Sequence, residues 1–197
     1  MQGIISAVRR NSLAENAGIK AGEKLCAVNG VSVHDIIELS YLVADEQIVL
    51  TIEDSECRQR QIVIEKYTDE ELGLEFEAAV FDGVTTCYNN CVFCFVDQMI
   101  PGMRESLYVR DDDYRLSFLY GNFITLTNMK EEDFEQIIKT HMSPLYISVH
   151  ATRPEVRCQM MNNRFAGELM SKINRLVEAG ISIHTPVSYT HLRAHET

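Results

Sequence analysis

The stretch CYNNCVFC at residues 87–94 sets Cys87, Cys91 and Cys94 at CxxxCxxC spacing, and no other feature restricts this chain as strongly. Thiolates are soft, charged ligands, and three of them in one short stretch meet at a single centre only if the backbone wraps around it as a loop. Iron–sulfur clusters and zinc both accept such a set. A structural zinc site takes a fourth ligand, usually from a second CxxC or a His pair, and here only the distant Cys57, Cys158, His141 and His150 offer one. Three cysteines instead leave one iron of a 4Fe-4S cluster without a protein ligand, open to a small molecule. Cys26, Cys57 and Cys158 stand singly and read as small core or surface residues.

With 46% hydrophobic residues among 197, the chain has the material for one large domain or two small ones. No apolar run approaches the length that spans a bilayer, and MQGIISAVRR lacks the apolar middle of a signal peptide. A cytoplasmic location with no membrane partner is expected. In that reducing compartment a cysteine triplet reads as metal-binding rather than as a disulfide framework. The net charge of −11 argues against nucleic acid as a partner, because phosphate binding needs clustered Lys and Arg.

Residues 3–66 read as short strands around one helix. GIISAV, KLCAVNG, QIVLTIED and RQIVIEK alternate or run apolar as strands do, while Ile36, Ile37, Leu39 and Leu42 recur near helical spacing between His34 and Val43. Residues 11–30, NSLAENAGIKAGEKLCAVNG, are similar to the PDZ pattern of bacterial proteins: a short helix ending at Gly18, a tight Ala21-Gly22-Glu23 turn, and an Asn29-Gly30 turn joining two strands. The resemblance implies a groove in which a peptide adds as a strand, with Ile4 to Ala7 facing the helix from His34. A peptide or protein partner there stands beside an internal structural role for the domain, and His34 itself reads as a helix-start residue. The polar stretch YTDEE at 67–71 marks the expected boundary between a PDZ-like domain at 1–66 and a second domain at 67–186.

In the second domain, LEFEAAVF at 74–81 reads as a strand that delivers the cysteine loop at its C-terminal end, where α/β barrels keep their active sites. Asp111, Asp112 and Asp113 read as a solvated turn answered by Arg110 and Arg115, with a divalent cation or a basic substrate as the alternative. LSFLYGNFITL at 116–126, rich in aromatic and β-branched residues, reads as a buried strand broken at Gly121. Asn128 to Glu131 has capping-box spacing ahead of a helix with Phe134, Ile137 and Ile138 on one face, ended by Ser143-Pro144. Leu145 to Val149 is the next strand and brings Ser148, His150, Thr152 and Arg153 to the end of the sheet where the cysteines lie. Arg164 to Ala179 reads as one amphipathic helix carrying Phe165, Leu169, Ile173 and Leu176, stopped by Gly180, and Ile181 to His184 begins another strand. This alternation predicts an α/β fold of βαβ units with a parallel sheet, the first part of a (βα) barrel. Arg157 and Arg164 are either bidentate binders of a carboxylate or phosphate or plain surface charges.

The cysteine triplet with Phe93 just before its third member resembles the radical SAM enzymes. The longer stretches CYNNCVFCFVDQM, SLYVRDDDYRLSFLYGNFITLTN and YISVHATRPEVR resemble a radical SAM family whose members carry an N-terminal PDZ-like domain. The resemblance implies a partial TIM barrel in which Cys87, Cys91 and Cys94 each hold one iron of a 4Fe-4S cluster and S-adenosylmethionine chelates the fourth. One electron from a reductant such as flavodoxin or ferredoxin then cleaves the sulfonium, and the 5′-deoxyadenosyl radical acts on an unknown substrate. Phe93, Gly121, Asn122, Ser148 and His150 are the candidate cofactor-binding residues. For Gly121 the competing reading is a strand bulge, and for His150 a hydrogen bond to backbone. The alternative function is a zinc-stabilised or electron-transfer module that docks a partner through the PDZ-like domain. Residues 187–197 continue neither strand nor helix and resemble a spurious translated tail, so a C-terminally truncated barrel is expected, against the alternative of a genuine polar tail. His191 and His195 are not read as a metal pair.

Overall fold

The computed structural model describes residues 2–185. The tail expected at 187–197, with His191 and His195, lies outside the described residues. The chain divides into two compact units, the first ending at Gly83 and the second beginning at Val84. No described helix is long and apolar enough to cross a membrane.

The first unit is an antiparallel sheet built from β1 (Gly3–Val8), β2 (Lys24–Val28), β3 (Val31–Ser32), β4 (Gln47–Glu53), β5 (Gln59–Glu65) and β6 (Leu74–Phe76), with the short helix α1 (Leu13–Asn16) and the longer α2 (Ile36–Leu42). Strand order is β5-β4-β2-β1-β6, with β3 on β2. The alternating apolar positions seen in the sequence become one buried face: Ile5, Leu25, Val28, Ile48, Leu50 and Ile52 are all fully enclosed. Polar side chains start the helices, as Ser12 Oγ accepts from the Glu15 amide at 3.2 Å and Asp35 Oδ1 from the Glu38 amide at 2.7 Å.

Two expectations for this region are corrected. The segment 74–81 is not the first strand of a barrel: β6 pairs antiparallel with β1, with Val8 opposite Leu74 and Ile5 opposite Phe76. Leu72 and Phe81 belong to the first unit's core, and the Phe81 and Phe76 rings meet at 4.9 Å. An apolar strand next to a cysteine loop fits either sheet by pattern alone, and burial of Leu72, Val80 and Phe81 decides it. Consequently β1 is interior, and the edge strand is β6 rather than Ile4 to Ala7. The Gly73 carbonyl and the Glu77 amide are spent on Arg9 and Ile4 at 2.9 and 3.0 Å, so strand alternation turns the backbone groups of Leu74 and Phe76 to the open edge.

The second unit contains α3 (Tyr114–Tyr120), α4 (Glu131–Lys139), β7 (Leu145–Tyr146), α5 (Pro154–Met161), α6 (Leu169–Glu178) and β8 (Ile183–His184). β7 and β8 are parallel, and Ile124 makes a further parallel bridge to Ile147. The order 124, α4, β7, α5, α6, β8 is therefore the expected βαβ alternation. Ile124, Ile137, Leu145, Ile147 and Leu176 are fully buried.

The expected strand at 116–126 is instead α3 followed by a short extended segment. Asp113 caps the helix, accepting from the Arg115 amide at 3.0 Å, and Gly121 ends it in the left-handed region at φ 76°. A good cap at each end outweighs the β-propensity of the aromatic residues between them. Helix α4 starts at Glu131, later than the capping-box spacing suggested. Asn128 donates instead to the Thr86 carbonyl at 2.8 Å, and Asp133 accepts from the Lys130 amide at 2.7 Å. The helix expected from Arg164 begins as a 3-10 turn over Arg164–Glu168, which leaves Phe165 exposed beneath the Arg164 guanidinium.

Candidate functional site

The cysteine loop is held along its backbone from two directions. On one side Thr86 bridges Asp111, and the Cys87 amide donates to the Arg110 carbonyl at 2.7 Å. On the other, the Asn90 and Val92 amides donate to the Met161 and Met160 carbonyls at the end of α5, at 3.1 and 3.0 Å. These are carbonyls that a helix C-terminus leaves without internal partners. The Cys94 amide closes a turn onto the Cys91 carbonyl at 3.1 Å, and Arg110 pairs with Asp97 further along.

Each of the three aspartates has a specific structural partner. Asp113 (0% exposed) forms a bidentate pair with Arg115 at 3.0 and 2.8 Å and accepts from the Thr85 amide at 2.9 Å. Burial pushes its carboxyl up, and the Arg115 guanidinium and Thr85 amide more than offset that, leaving it below the usual range. Asp112 (3% exposed) accepts from the Thr125 amide and hydroxyl at 2.5 and 2.7 Å, and burial raises its carboxyl. Asp111 accepts from Asn122 Nδ2 at 2.7 Å. The solvated turn answered by Arg110 and Arg115 is thus corrected: Asp112 and Asp113 are interior, Arg115 pairs with Asp113, and Arg110 pairs with Asp97.

Arg157 is also corrected, since it is neither a surface charge nor a free anion binder. At 1% exposure it donates from Nε to the Val149 carbonyl, from Nη1 to Ala166, and from Nη2 to Thr125 and Ser148, all at 2.7–3.0 Å. The planar fork suits such divergent acceptors. It ties the ends of two neighbouring extended segments to α5 and to the turn that precedes α6.

Of the residues singled out in the sequence, the structure brings the cysteine loop and His150 together. The Phe93 and His150 rings meet in a tilted contact, with centroids 4.6 Å apart and planes at 41°. His150 sits in the left-handed region at φ 56°, and its Nδ1 is buried with no hydrogen-bond partner. Burial, with the nearby Arg157 charge, lowers its pKa to about 4, so the imidazole is neutral at pH 7. Ser148 is buried beside it, its amide on the Ile124 carbonyl at 2.8 Å and its own carbonyl taken by Arg157. Gly121 and Asn122 stay with α3, at the start of the extended segment whose far end, Thr125 and Thr127, meets the cysteine loop. Gly121 faces the Tyr146 ring and is a helix cap, not a strand bulge. Sequence reasoning missed Asn89, Thr125 and Thr127, which carry that contact; the position of Asn89 between two cysteines was the one signal available.

Cys87, Cys91 and Cys94 are all half-buried free thiols. Burial raises Cys87, and it raises Cys91 to about 11, helped there by the charges that Cys87 and Cys94 would carry as thiolates. Among the described residues, no group of three His, Cys, Asp or Glu side chains is gathered closely enough to hold a metal ion. The donor set nevertheless fits a soft, thiophilic centre. Three thiols share one loop, they lie near enough for their charges to oppose one another, and an orphaned ring nitrogen sits alongside. A bound cation relieves that repulsion and deprotonates its ligands.

Fold and loop together define a two-unit α/β protein whose second unit carries a three-cysteine loop beside His150. Residues 66–191 match the family model described as a Radical SAM-like domain, and residues 4–54 match that of a PDZ domain. The first match covers more than half of the chain, and the chain belongs to the Radical SAM-like domain family. No curated protein matches it.

Proposed function

We propose that this is a radical SAM iron–sulfur protein, with Cys87, Cys91 and Cys94 as the ligands of a 4Fe-4S cluster and S-adenosylmethionine as its second cofactor. The observation that carries the reading is the half-buried thiol triplet on one anchored loop within a Radical SAM-like domain. Cys87, Cys91 and Cys94 would hold the cluster, which would supply the one-electron chemistry for reductive cleavage of S-adenosylmethionine, with the electron drawn from a flavodoxin- or ferredoxin-like donor. The chain's own residues hold and shield the site. Phe93 and neutral His150 form an apolar wall with one unspent nitrogen, and Ser148 and Arg157 fix the strand end that carries His150. The second unit serves as a scaffold of (βα) units of the barrel type, acting in the cytoplasm. The edge of β6, preceded by Gly73, is the place where the PDZ domain would add an extended peptide strand.

Anaerobic reconstitution with iron and sulfide tests this reading. A brown protein whose colour and iron content require all three cysteines, and which reductively releases 5′-deoxyadenosine from S-adenosylmethionine, supports it. A colourless protein with stoichiometric zinc defeats it in favour of a zinc-stabilised docking module.

A further inference from the structure

Asn89 lies between Cys87 and Cys91 and is 3% exposed. Its Nδ2 is 3.2 Å from Cys87 Sγ, 3.1 Å from Thr125 Oγ1 and 2.9 Å from Thr127 Oγ1. Its Oδ1 accepts from Asn163 Nδ2 at 2.7 Å and from Thr127 Oγ1 at 3.2 Å. These partners fix which end of the amide faces the sulfur. Ionised, the Asp112 carboxylate only accepts, so the Thr125 hydroxyl points its proton at Asp112 and offers its lone pairs to Asn89. Asn163 supplies a donor to Oδ1, which leaves the Asn89 N–H groups aimed at Thr125 or Thr127 and at Cys87. Asn89 therefore donates in two directions, from one N–H through the Thr125 hydroxyl towards Asp112 and from the other to the Cys87 sulfur.

We infer that Asn89 is a positioning residue for the metal ligand Cys87, donating an N–H to its thiolate and raising the reduction potential of the centre that Cys87 holds. The inference rests on the cluster reading above. An N–H···S bond withdraws charge from the ligand and favours the more negative, reduced state, and outer-shell partners of this kind tune iron–sulfur potentials. Thr125 and Asp112 orient the amide but do not touch the sulfur, so their effect is smaller and has the same sign.

The test is a redox titration of the reconstituted full chain, followed by its visible and electron paramagnetic resonance spectra. Asn89→Leu keeps the branched heavy-atom skeleton of the side chain and removes the donor. It should lower the reduced-to-oxidised ratio at a fixed potential about tenfold, a shift of ~59 mV to more negative values for a one-electron couple. Thr125→Val should move the midpoint the same way by less, with iron content unchanged, and it decides the matter if Asn89→Leu fails to load. Midpoints equal to wild type in both variants would overturn the inference while leaving the cluster reading intact. If the wild-type protein takes up no iron, the cluster reading is what fails. The bond is then read in the metal-free chain, where Asn89→Leu should slow alkylation of Cys87 and an unchanged rate would count against it.

Discussion

Replacing Arg157 with methionine should destabilise the second unit selectively. The guanidinium makes four bonds to the carbonyls of Val149, Ala166, Thr125 and Ser148. Hydrogen bonds to charged groups contribute about 1.5–3 kcal/mol each, roughly 6–12 kcal/mol if all four were independent. Burying the cation costs several kcal/mol, and burial does lower the pKa of Arg157. Methionine fills the volume but withdraws the charged donor from four carbonyls, of which that of Val149 keeps the Ala151 amide at 2.6 Å; at about 1–3 kcal/mol for each buried acceptor left unpaired, less the desolvation recovered, a net loss of about 3–5 kcal/mol is expected. With a urea dependence of ~1–3 kcal/mol per molar, the midpoint of the second unit should fall by about 2 M. Hydrogen exchange along a urea series reads the two units separately: the Ile147 and Ser148 amides should lose protection early, while the β4–β5 ladder keeps its own midpoint. Arg157→Lys should rescue little, because an ammonium cannot reach acceptors spread around a planar fork. A shift below ~1 kcal/mol for Arg157→Met would refute the view that this residue clamps the strand ends.

Single Cys87→Ser, Cys91→Ser and Cys94→Ser substitutions should each abolish the iron-dependent colour, whereas Cys57→Ser, at an exposed site outside the loop, should leave it unchanged; absorbance and iron assays check both. In the iron-free protein the pKa of His150, about 4, lies below the unfolded value of ~6.5. Its contribution to stability is full above ~6.5 and is lost as pH falls towards 4, and a His150→Phe variant should flatten that slope in denaturation curves across this window. Gly73 lies at φ 78°, and a Cβ there would meet Ser12 Cβ at 2.3 Å. Gly73→Ala should therefore destabilise the first unit by about 1–3 kcal/mol, seen as a lower melting temperature for the β1–β6 amides.

The strands of the first unit were legible nearly residue by residue, because their alternation has one solution once the Asn29-Gly30 turn is placed. Pattern alone did not show where β6 goes, since apolar alternation specifies a face and not a partner. In the second unit the cysteines announce themselves by spacing, and His150 by falling at the end of a strand. Asp112, Asp113 and Arg157 were misread for a common reason. Charged residues are mostly solvated, and the partners that make these interior, Thr125, Arg115 and four carbonyls, are assembled by tertiary folding. Gly121 was noticed, but the helix it caps was hidden behind aromatic residues whose average preference is for strands.

The late position of β6 carries a consequence for synthesis. Within the first unit β1 leaves the ribosome before every other strand, yet one of its two neighbours lies beyond residue 73, and Phe81, which would touch a Cβ added at Gly3 at 2.8 Å, comes later still. Such a pairing closes most of the unit's length into one loop and is among its slowest contacts to form. The nascent sheet therefore exposes a bare, apolar flank until the chain has grown almost to Cys87, and completion of the PDZ-like unit and emergence of the three-cysteine loop follow each other within a few residues of translation.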